Sequence, residues 1–383
     1  MGVVYLDNAA TTPLSETVRT AMRPFFEDQF GNPSSTHEVG RKARQAVERA
    51  RRTVAQWLEA DPHDLVWTSG GTEADAAALT GAFLARRATR PHIVASPVEH
   101  HAVLHTLSFL QSLGAEVTFL PVDSDGRVHV EDVVAAIRPT TSVVTVMAVN
   151  NELGTVQPVD AIAKAVKEVD PAIVVHSDMV QALPTQRISL DGSEIDLASF
   201  SAHKIHGPKG IGVLYIRKHT PWVPYLYGGN QEAKRRGGTE NVAGAIGFAA
   251  AVEELGKAFD RDVEHIRTLR DRLWEGLRVV PGCHRLSPDD AAPTILNVAF
   301  TGVRNDMLLM RLDLAGIEAS AGSACTAGSL EPSHVIQAAK GDAYIREAVR
   351  FSFGVQNTLE EIDHAAGIIE TQVREIRERF TTS

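Results

Sequence analysis

Between Leu65 and Val175 the chain alternates short apolar runs with segments of helical period. Leu65-Val66-Trp67-Thr68, Ile93-Val94-Ala95, Val143 to Val149 and Ile173-Val174-Val175 read as strands. Helices are predicted for Glu73 to Arg86, His101 to Gln111 and Val159 to Val169. Strands nearly continuous in Val and Ile are buried on both faces, which predicts a mainly parallel sheet covered by helices. Upstream, a helix is predicted from Ser15 to Phe26. A second runs from Arg41 to Arg52, with Ala43, Ala46, Val47 and Ala50 at helical spacing beneath a solvated basic face.

Past Gly228-Gly229 and the basic Lys234-Arg235-Arg236 turn, Val252 to Arg278 is predicted helical. The pattern then becomes mixed: a strand at Thr294 to Phe300, a helix at Met307 to Leu314, a loop at Ser320 to Ser329, a strand at Val349 to Phe353 and a helix at Leu359 to Phe380. This predicts a large α/β domain over residues 15–253 and a smaller α+β domain over 254–383, with the N-terminal arm, 1–14, packing against the smaller one.

Composition narrows the class. A chain of 383 residues with 44% hydrophobic and 22% charged positions has ample core for two such units. A formal charge of −10 argues against nucleic acid, because phosphate binding needs a basic face. Met1 to Asp7 carries no basic segment followed by an apolar run, and no stretch approaches a membrane span. A cytoplasmic small-molecule enzyme is expected, with no DNA partner, no membrane and no metal site. Two cysteines, Cys283 and Cys325, make no disulfide framework and leave a reactive thiol open.

The candidate chemistry gathers at strand ends. Lys204, in Ser-Ala-His-Lys-Ile-His-Gly-Pro-Lys-Gly, follows a strand-like run and precedes a turn forced by Gly207, Pro208 and Gly210. In α/β proteins that edge binds ligands. A lysine amine there can bond an aldehyde cofactor, with Ser201 and His203 nearby to serve an anion. Ser69-Gly70-Gly71-Thr72-Glu73 follows a strand and opens a helix, a phosphate-binding turn in which Gly71 admits the anion and Thr72 adds a donor.

Asp178 ends a strand, where a carboxylate can pair with a protonated ring nitrogen of pyridoxal phosphate or cap a helix; Lys204 further on favours the first. His100 follows another strand and can stack on a flat cofactor and move protons. Asn151 either holds a ring hydroxyl or forms a turn. Gly31-Asn32-Pro33-Ser34-Ser35 is a loop, read from its residues as a connector. Cys325 sits among small polar residues, the setting of an exposed nucleophile, whereas Cys283 has no such setting. Arg350 enters a strand, where it pairs with a substrate carboxylate or with an internal acid.

Together these residues resemble the cysteine desulfurases of the NifS/IscS type, in the class V aminotransferase group of fold-type I pyridoxal phosphate enzymes. The resemblance runs from Tyr5 to Gly354. Its most specific pieces are Ser-Ala-His-Lys at Ser201 to Lys204, Ser-Ala-Gly-Ser-Ala-Cys-Thr at Ser320 to Thr326 and Gly-Gly-Thr-Glu-Asn at Gly237 to Asn241.

The resemblance implies a cofactor, pyridoxal 5′-phosphate, bonded by Lys204, with Asp178 at its ring nitrogen, His100 stacked on it, and Asn151 and Gln181 at its phenolic oxygen. Gly71, Thr72, Ser201 and His203 would hold the phosphate, with Thr239 lent by the second subunit of a homodimer. Arg350, Asn151 and Asn32 would bind the substrate L-cysteine. Cys325 would take its sulfur as a persulfide, release L-alanine and pass the sulfur to an iron–sulfur scaffold or another acceptor protein.

Overall fold

The computed structural model describes residues 2–322 and 332–381. Seven strands form one sheet in the order Leu65–Thr68, Gly212–Ile216, Leu197–Ser201, Val174–Asp178, Thr141–Thr145, His92–Ala95, Glu116–Phe119. Every pairing is parallel except those of Gly212–Ile216, which runs against both neighbours. The sheet is thus mainly parallel, as its apolar strands predict.

Alternate residues of these strands enter two separate cores. Val143, Val174 and Leu197 pack with Leu79, Phe83, Val103 and Leu107 of the helices Gly71–Arg86 and His101–Ser112. Their neighbours Val144, Val175 and Ala198 pack with Val54 of Glu38–Trp57, Ile162 of Val159–Val169 and Phe248 of Val242–Lys257. Helices therefore cover both faces, and the period-two pleat assigns each strand residue to one of them. Burial of this kind removes about 25 cal/mol from the folded free energy per Å² of apolar surface.

A second, antiparallel sheet takes the order Ala348–Ser352, Ile295–Phe300, Cys283–Arg285. It shares a core with the helices Phe259–Leu277, Asn305–Leu314 and Leu359–Thr381. Val4 and Leu6 of the arm are buried in the same core, and Val4–Tyr5 pairs in parallel with Ile317–Glu318.

The helical stretch expected from Val252 to Arg278 is in fact two helices. Val242–Lys257 begins ten residues earlier than expected (252 − 242), and the chain breaks at Ala258, with φ −142°, before Phe259–Leu277. Val252 lies in the core of the large sheet and Leu269 in that of the small one, so the break falls where the chain changes cores. The first helix is also shorter than expected. Ser15 caps Glu16–Met22 by accepting from Val18 N at 3.2 Å, and the chain tightens into a 3₁₀ turn at Arg23–Phe25, where Pro24 has no N–H to continue the ladder. Among the described residues, no helix is long and apolar enough to cross a membrane.

Candidate active site

The parallel strands deliver their last residues to one edge of the large sheet. Asp178 and Ser201 end neighbouring strands, and Lys204 follows Ser201 at the end of a single 3₁₀ turn, Ala202–Lys204. His100 caps the helix His101–Ser112, its Nδ1 accepting from Ala102 N at 3.1 Å. Gly70, at φ +155°, turns the chain into the helix that Gly71 opens. A Cβ at Gly71 would stand 2.9 Å from Val180 Cγ2, so the turn approaches Val180 more closely than a side chain allows.

A cavity of ≈ 160 Å³ opens at this edge. Gly71, Thr72, His100, Asn151, Asp178, Gln181, Ser201, His203, Lys204 and Arg350 all line it. Sequence reasoning named each of them. It missed Asp75, Ala9 and Ala10, which line the same cavity.

The arm closes the side opposite the strand ends. Lys204 Nζ donates to Ala9 O at 2.5 Å and to Ala10 O at 2.8 Å. Gln181 Nε2 donates to Ala9 O at 2.9 Å, and the Thr12 hydroxyl to His203 O at 2.9 Å. Arg350 reaches in from the small sheet. Its Nη1 donates to Asn151 O at 2.9 Å and its Nη2 pairs with Asp7 Oδ1 at 2.7 Å. Of the two roles open to Arg350, the pairing with an internal acid is present in this structure, and that acid is an arm residue. Nε of Arg350 is buried without a hydrogen-bond partner among the described residues.

Burial dominates the electrostatics. It pushes Asp178 up to about 7, with the charge of Asp75 adding to the rise, although Val180 N donates to its carboxylate at 2.9 Å. Asp75 is likewise pushed up to about 7 by burial. Burial, then the charge of Lys204, holds His100 and His203 down to about 4, so both rings are neutral at neutral pH. His203 Nδ1 lies 3.2 Å from Thr11 Oγ1.

Two predicted residues among those described are not brought together with these. Asn32 is exposed and its side-chain oxygen accepts from Ser34 N at 2.8 Å, a local turn bond away from the cavity. Thr239 is exposed and does not line this chain's cavity. Its segment is tied to the Ser69–Glu73 turn all the same, because Arg236 forks onto Glu73 at 2.9 and 3.1 Å. Cys325 lies outside the described residues. Cys283 is half-buried and its thiol is pushed up to about 12 by burial, which removes the thiolate at neutral pH.

A strand-end lysine and aspartate beside a glycine-opened helix define a class of α/β enzyme, and the comparisons name it. The model of the class V aminotransferase family matches residues 4–364, and the chain belongs to that family. A cysteine desulfurase IscS of Dictyoglomus turgidum is 41% identical over 377 residues, covering 98% of this chain and 95% of the relative. Among solved structures, a NifS-like protein is similar with a TM-score of 0.91 and 37% identity, covering 96% of this chain and 98% of that one. SspA in complex with cysteine is similar with a TM-score of 0.79 and 34% identity, covering 92% and 99%.

Proposed function

We propose that this chain is a pyridoxal 5′-phosphate-dependent L-cysteine desulfurase that moves the substrate's sulfur onto Cys325 and releases L-alanine. The observation that carries it is the convergence of Lys204, Asp178, His100 and the Gly71–Thr72 turn on one cavity. The cysteine desulfurase and cysteine-bound relatives support the substrate.

The donor set fits the cofactor. Gly71 leaves an approach that a Cβ would fill, Thr72 and Ser201 offer hydroxyl donors in the same cavity, and Asp178 stands buried in its lining for a ring N–H. When bound, the group supplies an aldehyde that captures amines and a ring that withdraws electrons from the substrate's Cα.

Every other step belongs to the chain's own residues. Lys204 would hold the cofactor through its aldehyde, and its free amine would take the proton from Cα. His100, neutral and beside Lys204, accepts or returns a proton at the leaving sulfur. Arg350, already forked between Asp7 and Asn151 O, offers its buried Nε to the substrate carboxylate. The Cys325 thiolate would attack the substrate sulfur; the S–S bond forms as Cβ–S breaks, with its electron pair left on carbon, and Cβ takes one proton while Lys204 returns one to Cα to give alanine. We assign Asn151 and Gln181 to the phenolic oxygen and His203 to the phosphate.

The reading extends to a homodimer in which each copy lends Thr239 to the other's phosphate. Exposed Phe30 and Tyr227, 75% and 76% accessible in one chain, support a covered face. The division into a cofactor-binding part, 15–253, and a smaller part, 254–383, belongs to the same proposal and is supported by the change of core at Ala258. The persulfide would pass to an iron–sulfur scaffold or another acceptor in the cytoplasm.

The test is sulfide and alanine release from L-cysteine with dithiothreitol, comparing wild type and Cys325→Ala, both loaded with cofactor. Equal amounts of the two products from wild type, lost in the variant while the cofactor spectrum persists, are expected. Undiminished turnover in the variant would remove Cys325 from the reaction.

A further inference from the structure

Asp75 has no place in the chemistry above, yet it is one of the most enclosed acids in the molecule. It lies in the first turns of the helix Gly71–Arg86, is 1% exposed, and lines the same cavity as Asp178. Its Oδ1 has no hydrogen-bond partner among the described residues. One ligand atom each from Asp75, His100 and Asp178 lie within 4.8 Å of one another.

The side chain nearest its unpartnered oxygen supplies no charge to balance it. His176, from the strand Val174–Asp178, brings Nε2 to 3.5 Å from Asp75 Oδ1. That ring is held by Thr145 Oγ1 at 2.9 Å and Ser199 Oγ at 3.1 Å, and burial holds it down to about 4, so it is neutral. Ser199 also hydrogen-bonds the Asp75 carboxylate. The other titratable and charged groups facing this pocket are Glu99 and His100 from the segment before His101–Ser112, Asp178 itself, and His203, Lys204 and Arg350, which line the same cavity. Glu99 is buried and lifted well above its usual range by burial, and His100 is neutral. Two buried carboxyl groups this close cannot both ionise without a counter-charge, and they titrate as a pair.

We infer that Asp75 is a positioning residue for Asp178: the two carboxyl groups titrate as a pair that holds one proton, so that the pair presents a single negative charge to the ring nitrogen of the bound cofactor. The inference rests on the cofactor reading given above. At neutral pH the pair holds one proton and one negative charge. At higher pH the pair releases that proton to solvent, and the pocket gains a second negative charge that holds a cationic ring nitrogen more tightly.

The experiment compares the cofactor-loaded wild type with Asp75→Asn by infrared spectroscopy at pH 6.5 and 9, and follows the rate of pyridoxal phosphate release over the same range. Wild type should carry a carboxylic acid C=O band at pH 6.5 that Asp75→Asn lacks, with Glu99 contributing equally to both. Release should slow about tenfold with rising pH in wild type, one pK unit of coupling, and stay level in the variant. Identical carboxylic acid bands in the two proteins, or the same pH dependence of release, would overturn it. If neither protein takes up the cofactor, the cofactor reading falls, and the infrared comparison on the unloaded proteins still decides whether the pair holds a proton that depends on Asp75. Should Asp75→Asn not fold, Asp75→Ser removes the same carboxyl.

Discussion

The two walls of the cavity are built in opposite ways. The sheet-edge wall is made of strand ends: Asp178, Ser201 and the turn to Lys204, each continuous with a strand buried at every residue. The arm wall is made of Ala9 and Ala10, and Asp7, Asn8 and Ala9 are held by residues over 340 positions away. Asn8 Nδ2 donates to Ser352 O at 3.0 Å, Ala9 N to Ser352 Oγ at 2.8 Å, and Asp7 pairs with Arg350 at 2.7 Å. A hydrogen-bonded ladder of longer strands fixes the first wall cooperatively, whereas the second adds side-chain bonds, each of which one substitution removes, to a short stretch of backbone pairing at Val4–Tyr5 and Asp7. Lys204 belongs to the first wall and donates to the second. Orientation at its amine is therefore where the two can be set against each other.

The largest effect should come from Lys204→Ala, which removes the residue common to both walls. Desulfurase turnover should fall by about 10³-fold or more, since the group that bonds the aldehyde and moves the proton is gone. The visible band of the bonded cofactor should vanish while the far-UV spectrum of the fold remains. A variant that keeps that band would remove Lys204 from its assigned role.

Next in size is the arm wall itself. Arg350→Ala strips the partner from Asp7 and leaves Asn151 O without its donor. Breaking a buried pair from one side costs about 3 kcal/mol, read as a lower midpoint of denaturant unfolding. Arg350→Lys keeps the charge but not the fork, and should raise KM for L-cysteine about tenfold with a smaller loss of stability. Equal KM in wild type and both variants would show that Arg350 serves only the arm.

A pH series sharpens the sheet-edge wall. The carboxyl groups of Asp75 and Asp178 stand at about 7 when folded against 3.8 in the open chain. Between these values the folded chain binds more protons than the unfolded one. Their contribution to stability is therefore full below about pH 4 and lost as the pH rises to 7. His100, His176 and His203 do the reverse. Held at about 4 against 6.5, they contribute above pH 6.5 and lose that contribution as the pH falls towards 4. The two sets oppose each other in wild type. Asp75→Asn removes part of the first set, so the cofactor-free variant should gain roughly 2 kcal/mol relative to wild type between pH 5 and 8. Unfolding by urea at both pH values measures it, and a difference that does not change with pH would contradict the placement of Asp75.

The same contrast explains what the sequence could reveal. Asp178, Lys204 and His100 are readable because apolar strands announce their own ends, and a polar residue there stands out. Glu116–Phe119 escapes notice because it is an edge strand with no fully buried residue and therefore little apolar signal. Gly212–Ile216 escapes because its apolar run follows a turn with no helix after it, so nothing in the local rhythm marks its reversed direction. The break at Ala258 is hidden inside a run of good helix formers; only the change of core on either side creates it. Asp75 reads as a solvated acid on a helix until the strands beneath it are placed. The arm wall is the least readable part, since Asp7 and Arg350 meet through tertiary packing that leaves no local trace. Cys325, which the sequence marks by its small polar neighbours, lies outside the described residues.

The smallest effect should come from Cys283, the thiol on neither wall. It sits on the strand Cys283–Arg285, paired through Phe300, and burial leaves it a thiol at neutral pH. A nucleophile must be ionised and must reach the substrate, and this group does neither. Cys283→Ser should change turnover by less than about twofold and stability by less than about 1 kcal/mol, the usual range for a near-isosteric change at a half-buried site. Alkylation of native protein should stop turnover in wild type and in Cys283→Ser alike, but leave Cys325→Ala with nothing further to lose. Protection of turnover by the Cys283 change would move the sulfur-carrying role to the wrong end of the small sheet, and with it the premise that the cavity's chemistry is gathered at the strand ends.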